Sequence, residues 1–329
     1  MKRKPKALLA LILALFLPLL LAGCGDPLTE PVPPKAGTAA CATESTRQNA
    51  ENRILSGLSA AGDKNFSSLP SLLSGPELSI RESQMKVEAS TGQANADMQI
   101  PYPASAVFLP SSCSWPRSIT VLTEPTGDLY SQRILTFTQS SPRSNYTLWS
   151  EVILYPGGQL PFEASGTQRV KYGDQLDAGL IATPQEAVSW YVNLLEEGEK
   201  SPYLQKFETG DLYMNLQELK NELATALSAS KGSQSQTFFP DCSSAKILKL
   251  STGDLVIVQI NSTWVRDAGK GGTAKPATAA EKALFSSEPS QTLTAKYVNV
   301  VALFIPSSSK GTKIEVLGAA REPVSVKAS

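Results

Sequence analysis

The 329-residue sequence contains no histidine. Histidine is the side chain that titrates nearest neutral pH, the base of Ser-His-Asp and Cys-His enzymes, and a common zinc ligand. Its absence excludes a histidine general base, a Ser-His-Asp or Cys-His catalytic site and a His-ligated zinc site. The sequence also lacks a CxxC spacing, which removes the usual zinc and thiol-redox signatures. We therefore expect no metal ion and no cofactor.

Cysteine is scarce, with four residues at Cys24, Cys41, Cys113 and Cys242. Cys24 has a separate role, described below. The other three can form at most one intramolecular disulfide. All pairings of the three are open, and Cys41 with Cys113 is favoured because both belong to the first half of the chain. A free, buried thiol is the alternative for each.

The chain has no excess of charge, with 30 Lys and Arg residues against 30 Asp and Glu residues. Loss of residues 1–23 would remove four cations and no acid, which leaves a net charge of about −4. Binding to nucleic acid or to anionic lipid headgroups needs clustered cations. We therefore expect no nucleic acid as a partner, and any membrane attachment would depend on acyl chains.

One long apolar run lies near the N-terminus. Four cations within the first six residues precede the apolar stretch Ala7–Leu20, which is the pattern of an export signal peptide. The stretch is shorter than the roughly 20 residues of a membrane-spanning helix. Leu21-Ala22-Gly23-Cys24 then resembles the bacterial lipobox, whose thiol receives a diacylglycerol before cleavage. The sequence predicts a lipoprotein signal peptide over residues 1–23 and a lipid (palmitate) anchor on Cys24.

The predicted location is the extracytoplasmic face of the cell membrane. Residues 24–46 are rich in Pro, Ala and Thr, and such a segment buries too little apolar surface to order itself. It is predicted to be a lipidated, flexible tether between the membrane and the folded part.

Landmarks recur in the same order in two halves of the remaining chain, which indicates an internal duplication. Thr-Gly-Asp-Leu occurs at 126–129 and again at 252–255, each between strand-like runs. We predict a first α+β repeat domain over residues 47–170 and a second over residues 171–329. The second contains an insertion at about 266–291, rich in Gly, Ala and Ser, which is predicted to be a mobile loop.

Local patterns predict the elements of each half. Thr183, Pro184 and Glu186 form a helix start with a capping residue, and five leucines from Leu212 to Leu227 form one helical stripe. Residues 146–155 alternate as a strand does. The predicted fold class is α+β, with two tandem repeats, each of one or two helices packed on a curved antiparallel sheet.

Several short motifs lie along the chain: Trp115-Pro116-Arg117, Ser141-Pro142-Arg143, Tyr146-Thr147-Leu148-Trp149, Pro156-Gly157-Gly158 with Leu160-Pro161, Ala182-Thr183-Pro184 and Val316-Leu317-Gly318-Ala319. Together they resemble a family of actinobacterial lipoproteins of unknown function, over essentially the whole mature chain. The resemblance implies an actinobacterial source and an envelope location, and it brings no activity and no catalytic residue. The predicted halves are also similar in topology to the cone-shaped fold of the nuclear transport factor 2 and cystatin-like superfamilies.

Two features invite a catalytic interpretation. The glycine-rich stretch at 269–273 lacks the GxxxxGK[ST] spacing of a phosphate-binding loop, so a flexible loop is favoured. Asp128 and Asp254 occupy equivalent turns and could act as a carboxylate pair. Gly-Asp is, however, a common turn dipeptide, so the structural interpretation is favoured.

The favoured function is a non-catalytic binding or interaction module of the cell envelope, with an envelope protein, a wall polymer or an apolar small molecule as partner. The alternative is an enzyme similar to small-molecule dehydratases or isomerases, with Asp, Glu or Tyr in place of histidine. Convergent ionisable groups in a cavity would favour the enzyme, whereas a dry pocket or shallow groove would favour binding. A third possibility is a spacer that only shapes the envelope.

Overall fold

The computed structural model describes residues 41–61, 65–100, 103–125, 132–156 and 160–328. The chain divides into two units after residue 40, and the second unit, from Cys41 onward, is compact. The predicted signal peptide, the lipid site at Cys24 and most of the predicted tether lie outside the described residues, as does the turn that contains Asp128.

The described elements are five α-helices and ten strands. The helices are α1 (Glu44–Ala61), α2 (Gly75–Thr91), α3 (Pro184–Glu197), α4 (Asp211–Ser228) and α5 (Ala279–Leu284). The first five strands are β1 (Ala104–Pro110), β2 (Arg117–Thr123), β3 (Arg133–Gln139), β4 (Thr147–Leu154) and β5 (Gly166–Tyr172). The others are β6 (Phe207–Glu208), β7 (Ser233–Lys249), β8 (Gly253–Asp267), β9 (Thr292–Pro306) and β10 (Ile314–Ala328). Short 3-10 turns cover Phe66–Ser71, Ala96–Met98, Gly198–Lys200 and Leu204–Lys206.

Nine of these strands form one closed sheet. The ring runs β4-β3-β2-β1-β5-β7-β8-β9-β10 and returns from β10 to β4. Two-residue β6 lies beside β10 as an added strand. Neighbouring strands are antiparallel, except that β1 is parallel to β5 and β10 is parallel to β6.

The predicted fold class is therefore wrong. It gave each half of the chain its own curved sheet, whereas the strands of both halves share one closed sheet. Two pairings join the halves: β5 with β7, and β4 with β10. These pairings satisfy edge strands that two separate sheets would leave open. The boundary predicted between residues 170 and 171 falls inside β5.

The pairing of β4 with β10, which closes the sheet, depends on a glycine. Gly318 pairs with Leu154 there, and a Cβ atom at Gly318 would collide with the carbonyl oxygen of Ile153. A residue without a side chain lets the two backbones approach closely enough to pair.

Buried apolar side chains of the described residues form three clusters. One takes residues from β1–β5 and β7–β9, including Phe108, Val152 and Phe304, and fills the interior of the ring. The second packs α1 and α2 against the outer face of the first strands. The third packs α3 and α4 against the outer face of β7–β10. The ring thus has apolar contacts on both faces, which explains why its strands are buried on both sides.

Several local predictions are confirmed. The Thr183 hydroxyl accepts a hydrogen bond from the Glu186 backbone N–H at 3.3 Å, and the Glu186 carboxylate accepts one from the Thr183 backbone N–H at 2.9 Å. This is the predicted capping box at the start of α3. The leucine stripe of α4 is helical, with Leu212 and Leu216 buried. Among the described residues, no helix is both long enough and apolar enough to cross a membrane.

The segment at about 266–291 contains more structure than a mobile loop. Strand β8 extends to Asp267, and α5 lies inside the segment. Glu281 on α5 is 0% exposed and pairs with Arg266 at 2.6 Å. A buried ion pair, which composition does not reveal, fixes this part of the chain.

Candidate functional site

One end of the closed sheet opens into a cavity of about 490 Å³. Its walls come from the start of β2, the ends of β3 and β5, the bulged middle of β7 and the loop between β1 and β2. Six side chains that define its chemistry are Arg117, Ser118, Thr138, Trp149, Tyr172 and Lys246.

Hydroxyl groups form two rows on the inner face of the sheet at this end. Ser118 and Thr138 are cross-strand partners that line the cavity. Two residues further along each strand, on the same face, Thr120 pairs with Thr136, which in turn pairs with Ser150. Beyond this inner row, the next cross-strand set is apolar and belongs to the core of the ring. The outer row therefore lines the cavity, and the inner row lies buried between it and the apolar core of the ring.

Two hydroxyls of the inner row have no hydrogen-bond partner among the described residues. Thr136 and Ser150 are 0% exposed, and neither the Thr136 Oγ1 nor the Ser150 Oγ atom finds a partner. Leaving a buried hydroxyl unpaired costs about 1–3 kcal/mol. Both side chains are fully buried, and neither is among the residues that line the cavity.

Lys246 is held over an aromatic ring at the rim. Its Nζ atom lies 4.6 Å from the centre of the Trp149 ring and donates a hydrogen bond to the Ser244 carbonyl oxygen at 2.6 Å. Burial lowers the pKa of Lys246, and the charge of Asp241 opposes that effect. The ammonium group is therefore a partly desolvated cation in a defined position.

Arg117 is the second cation of the rim. Its guanidinium lies 4.5 Å from the centre of the Trp115 ring, and its Nε atom donates to the Gln139 Oε1 atom at 2.9 Å. Trp115 donates to the same oxygen at 3.0 Å, and Gln139 in turn donates to the Ser144 carbonyl oxygen at 2.7 Å. This chain of contacts fixes the position of the guanidinium.

Tyr172 supplies a neutral phenol to the wall. Its hydroxyl lies 3.5 Å from the Thr120 hydroxyl, and burial raises the pKa of Tyr172 well above its usual range. A phenol with a raised pKa keeps its proton at neutral pH and acts as a hydrogen-bonding group rather than as a base.

A disulfide anchors the loop at the cavity rim. The structure joins Cys41 to Cys113, with their Cα atoms 4.4 Å apart, and this is the pairing that the sequence favours. Cys113 lies between Ser112 and Ser114, which both line the cavity. The disulfide therefore connects the first described residue of the chain to the rim loop. Cys242 is a half-buried free thiol, and burial raises its pKa.

The carboxylates considered from the sequence lie elsewhere. Asp254 is the second residue of β8, where burial, reinforced by the charge of Asp177, raises its pKa to about 6. Asp177 forms an ion pair with Lys249 at 2.5 Å. Asp128 is outside the described residues, so the structure does not place it relative to Asp254. The stretch at 269–273 forms a turn closed by a 2.9 Å hydrogen bond from the Gly272 N–H to the Gly269 carbonyl.

A buried ionic cluster lies where α2 packs on β3 and β4. Arg81 contacts Glu77 at 3.3 Å and Glu151 at 3.4 Å, and Arg133 also pairs with Glu151. Burial, with help from the Glu151 charge, raises the pKa of Glu77 to about 7. The four side chains pair with one another on the outer face of the ring, which indicates a structural role rather than a catalytic one. Among the described residues, no group of three or more acidic or cysteine side chains is arranged to bind a metal ion.

Sequence reasoning missed the two rim cations. Arg117 occurs in the Trp115-Pro116-Arg117 motif, but its role at the rim depends on a partner, Lys246, from the other half of the chain. The only local signal is a basic residue beside aromatic residues. This signal does not predict a binding site unless the closed sheet, which brings Lys246 to the same cavity, is known.

No family model matches the chain, and comparisons with curated proteins and with solved structures find no significant match.

Proposed function

We propose that the protein is a lipid-anchored binding module of the cell envelope that holds a small polar molecule in the cavity at the end of its closed sheet. The observation that supports this proposal is the set of residues that line the cavity. They include two cations, several hydroxyl groups and two aromatic side chains, with no carboxylate among the described lining residues. Ligand sites are concave and combine apolar walls with a few converging polar groups.

The disulfide supports the predicted location. Disulfides persist in oxidising compartments outside the cytoplasm, and Cys41–Cys113 is of that kind. The lipid anchor itself rests on the lipobox-like sequence ending at Cys24. Among the predicted partners, the cavity favours a small molecule over a polymer, and its cations and hydroxyls favour a polar molecule over an apolar one.

The enzyme alternative relied on Asp, Glu or Tyr in a common cavity. Acid–base catalysis needs a group whose pKa lies near the working pH, in contact with the substrate. The described carboxylates with raised pKa values do not line this cavity; they are Glu77, Glu151, Asp254, Glu315 and Glu322. Tyr172, which does line it, keeps its proton because burial raises its pKa. The geometry therefore supports binding better than proton transfer.

Fragment binding to the purified full chain tests the proposed site. Ligand-observed NMR with a library of small polar fragments should detect binding that Ser114→Trp at the cavity rim suppresses. The matched control, Ser309→Trp in the exposed turn between β9 and β10, should leave binding unchanged. Fragments that bind both variants equally well, or that do not bind the parent protein, would contradict the proposal.

Metabolic labelling with palmitate, followed by cell fractionation, tests the anchor. The parent protein should carry the label in the membrane fraction, and Cys24→Ser should abolish the label. Label that survives Cys24→Ser would refute lipid anchoring through this thiol.

A further inference from the structure

The sheet closes through a short pairing between β4 and β10, here called the closing junction. The register pairs Leu154 with Gly318 and Ile153 with Ala319. Strands β8 and β9, by comparison, pair along their whole length. Because few backbone hydrogen bonds hold the closing junction, we expect contacts from neighbouring elements to contribute to its stability.

Helix α2 contacts both strands of the closing junction. On β4, the Glu151 backbone N–H donates a hydrogen bond to the Glu77 carboxylate at 3.1 Å. On β10, the Pro323 carbonyl oxygen accepts a hydrogen bond from the Ser83 hydroxyl. Both hydrogen bonds are buried. Helix α2 therefore braces the junction, and both strands lose a contact when the helix moves away.

A cavity of about 100 Å³ lies between α2 and the closing junction. Ile153 and Ala319, which pair with each other in the junction, both line it. Gln84 and Arg133 also line it and are buried, and neither the Gln84 Oε1 atom nor the Arg133 Nε atom has a hydrogen-bond partner among the described residues. A polar space of this size has room for water molecules, which satisfy such atoms and connect nearby carboxyl groups to solvent.

Acids outnumber cations around this cavity. Arg81 pairs with Glu77 and Glu151, and Arg133 also pairs with Glu151. These four groups balance one another in charge, which leaves the other charged groups of the cavity to be considered. The charged residues that line it are Glu77 from α2, Asp97 from the 3-10 turn, Arg133 from β3, Glu151 from β4, and Arg321 and Glu322 from β10.

Glu322 is the carboxyl group without a cation of its own. Among the described residues, none donates a hydrogen bond to Glu322 or forms a salt bridge with it. The guanidinium of the neighbouring Arg321 lies 3.7 Å from the centre of the Tyr297 ring and donates to the Asn299 Oδ1 atom at 3.0 Å. Burial, with help from the charge of Asp97, raises the pKa of Glu322 to about 8, and Arg321 opposes this in part. Glu322 therefore keeps its proton at neutral pH.

We propose that α2 is a proton-controlled latch on the closed sheet: α2 stays seated across the closing junction while Glu322 is protonated, and loss of that proton releases α2 and opens the junction. The ionised carboxylate would be a half-buried charge without a partner, and release of α2 exposes it to water. The latch is independent of the proposed binding function.

The direction of the pH dependence follows from the raised pKa. The closed state holds the Glu322 proton more tightly than the open state, so the latch is tightest in acid and weakens as the pH rises through about 8. Glu77, whose pKa burial raises to about 7, acts in the same direction. Each proton released on opening changes the opening equilibrium by up to about tenfold per pH unit.

Hydrogen exchange of the full chain at pH 6 and pH 8, followed by mass spectrometry, tests the latch. The readout is the protection factor, which corrects for the intrinsic effect of pH on exchange. Peptides from α2 (residues 75–91) and from residues 318–324 of β10 should be about tenfold less protected at pH 8 than at pH 6. Helix α3, which does not line the cavity, should keep its protection within about twofold.

A neutral side chain at position 322 should hold the latch closed. Glu322→Gln mimics the protonated carboxyl group, so it should fold and reduce the loss of protection at pH 8 to about threefold or less. Glu315→Gln is the matched control, because Glu315 lies on the same strand and burial also raises its pKa, but its neighbouring charge is Glu208 and it does not line the cavity. This control should lose protection as the parent protein does.

Five results would overturn the latch. They are equal protection of α2 at the two pH values in the parent protein, an equal loss of protection in α3, the full loss of protection in Glu322→Gln, the same rescue by Glu315→Gln, and a Glu322→Gln protein that does not fold.

Discussion

Replacement of Glu281 by glutamine should be among the most destabilising single changes in the chain. Glu281 is 0% exposed on the short helix α5. Its carboxylate pairs with Arg266 at 2.6 Å and accepts hydrogen bonds from the Tyr297 hydroxyl and the Ala277 backbone N–H. Glu281→Gln removes the negative charge and keeps the volume, so the effect reports on electrostatics rather than on packing.

The expected loss of unfolding free energy follows from the buried charge that Arg266 keeps after the change. Arg266 is 1% exposed, and its Nε and Nη1 atoms have no other hydrogen-bond partner among the described residues. Removing one partner of a buried ion pair leaves an uncompensated buried charge, which costs about 3–5 kcal/mol. The glutamine amide would also direct a donor at either Arg266 or Tyr297. We expect Glu281→Gln to lower the free energy of unfolding by about 3 kcal/mol or more.

Urea unfolding followed by tryptophan fluorescence measures this free energy. Glu288→Gln is the matched control, because Glu288 lies in the same segment and is exposed; it should change stability by less than about 0.5 kcal/mol. Hydrogen exchange over residues 268–291 should accelerate in Glu281→Gln and not in Glu288→Gln. A Glu281→Gln protein within about 1 kcal/mol of the parent would show that this ion pair does not fix the segment.

Three further predictions concern stability. Burial raises the pKa of Asp254 to about 6, so the folded state holds its proton more tightly than the unfolded state and stability falls as the pH rises from about 4 to about 6. Asp254→Asn should therefore gain up to about 3 kcal/mol at pH 8 and nothing at pH 4 in urea titrations, and an equal gain at both pH values would contradict this. Thr183→Ala removes the cap of α3 and should cost about 1 kcal/mol by the same measurement, with no loss counting against the capping role. Changing both Cys41 and Cys113 to serine removes a link across 72 residues and should cost about 2–4 kcal/mol, whereas Cys242→Ser should cost less than about 1 kcal/mol; equal effects would contradict the pairing.

Local elements were predictable because their signals are short in sequence. The capping box at Thr183 and the turn before Asp254 each depend on residues within a few positions of one another. The pairing of Leu248 with Leu255 follows from that turn. Helix α2 was harder to predict because its buried face contains charged residues, including Glu77 and Arg81, which blur the apolar stripe.

The closed sheet was not predictable by the same reasoning. Closure depends on pairings between distant segments, such as Gly318 with Leu154, and no local periodicity encodes the partner of an edge strand. The repeated Thr-Gly-Asp-Leu turns suggested two separate bodies, and this inference favoured two open sheets. Strands covered on both faces also lose the alternation that would show which side faces the interior.

The cavity could not be predicted for the same reason, because its lining residues come from both halves of the chain. Arg117 and Lys246 line one cavity because β5 pairs with β7, which joins the two halves of the chain. Sequence reasoning instead singled out two acidic turns and a glycine-rich stretch as candidate sites, because those patterns are short and local. The Cys41–Cys113 pairing needed only the position of each cysteine in the chain.

A crystal structure of the full chain with the tightest-binding polar fragment would test the binding site most directly. The predicted result places the fragment in the cavity at the end of the closed sheet, in contact with residues that line it such as Lys246 and Trp149. A fragment bound outside the cavity would contradict it.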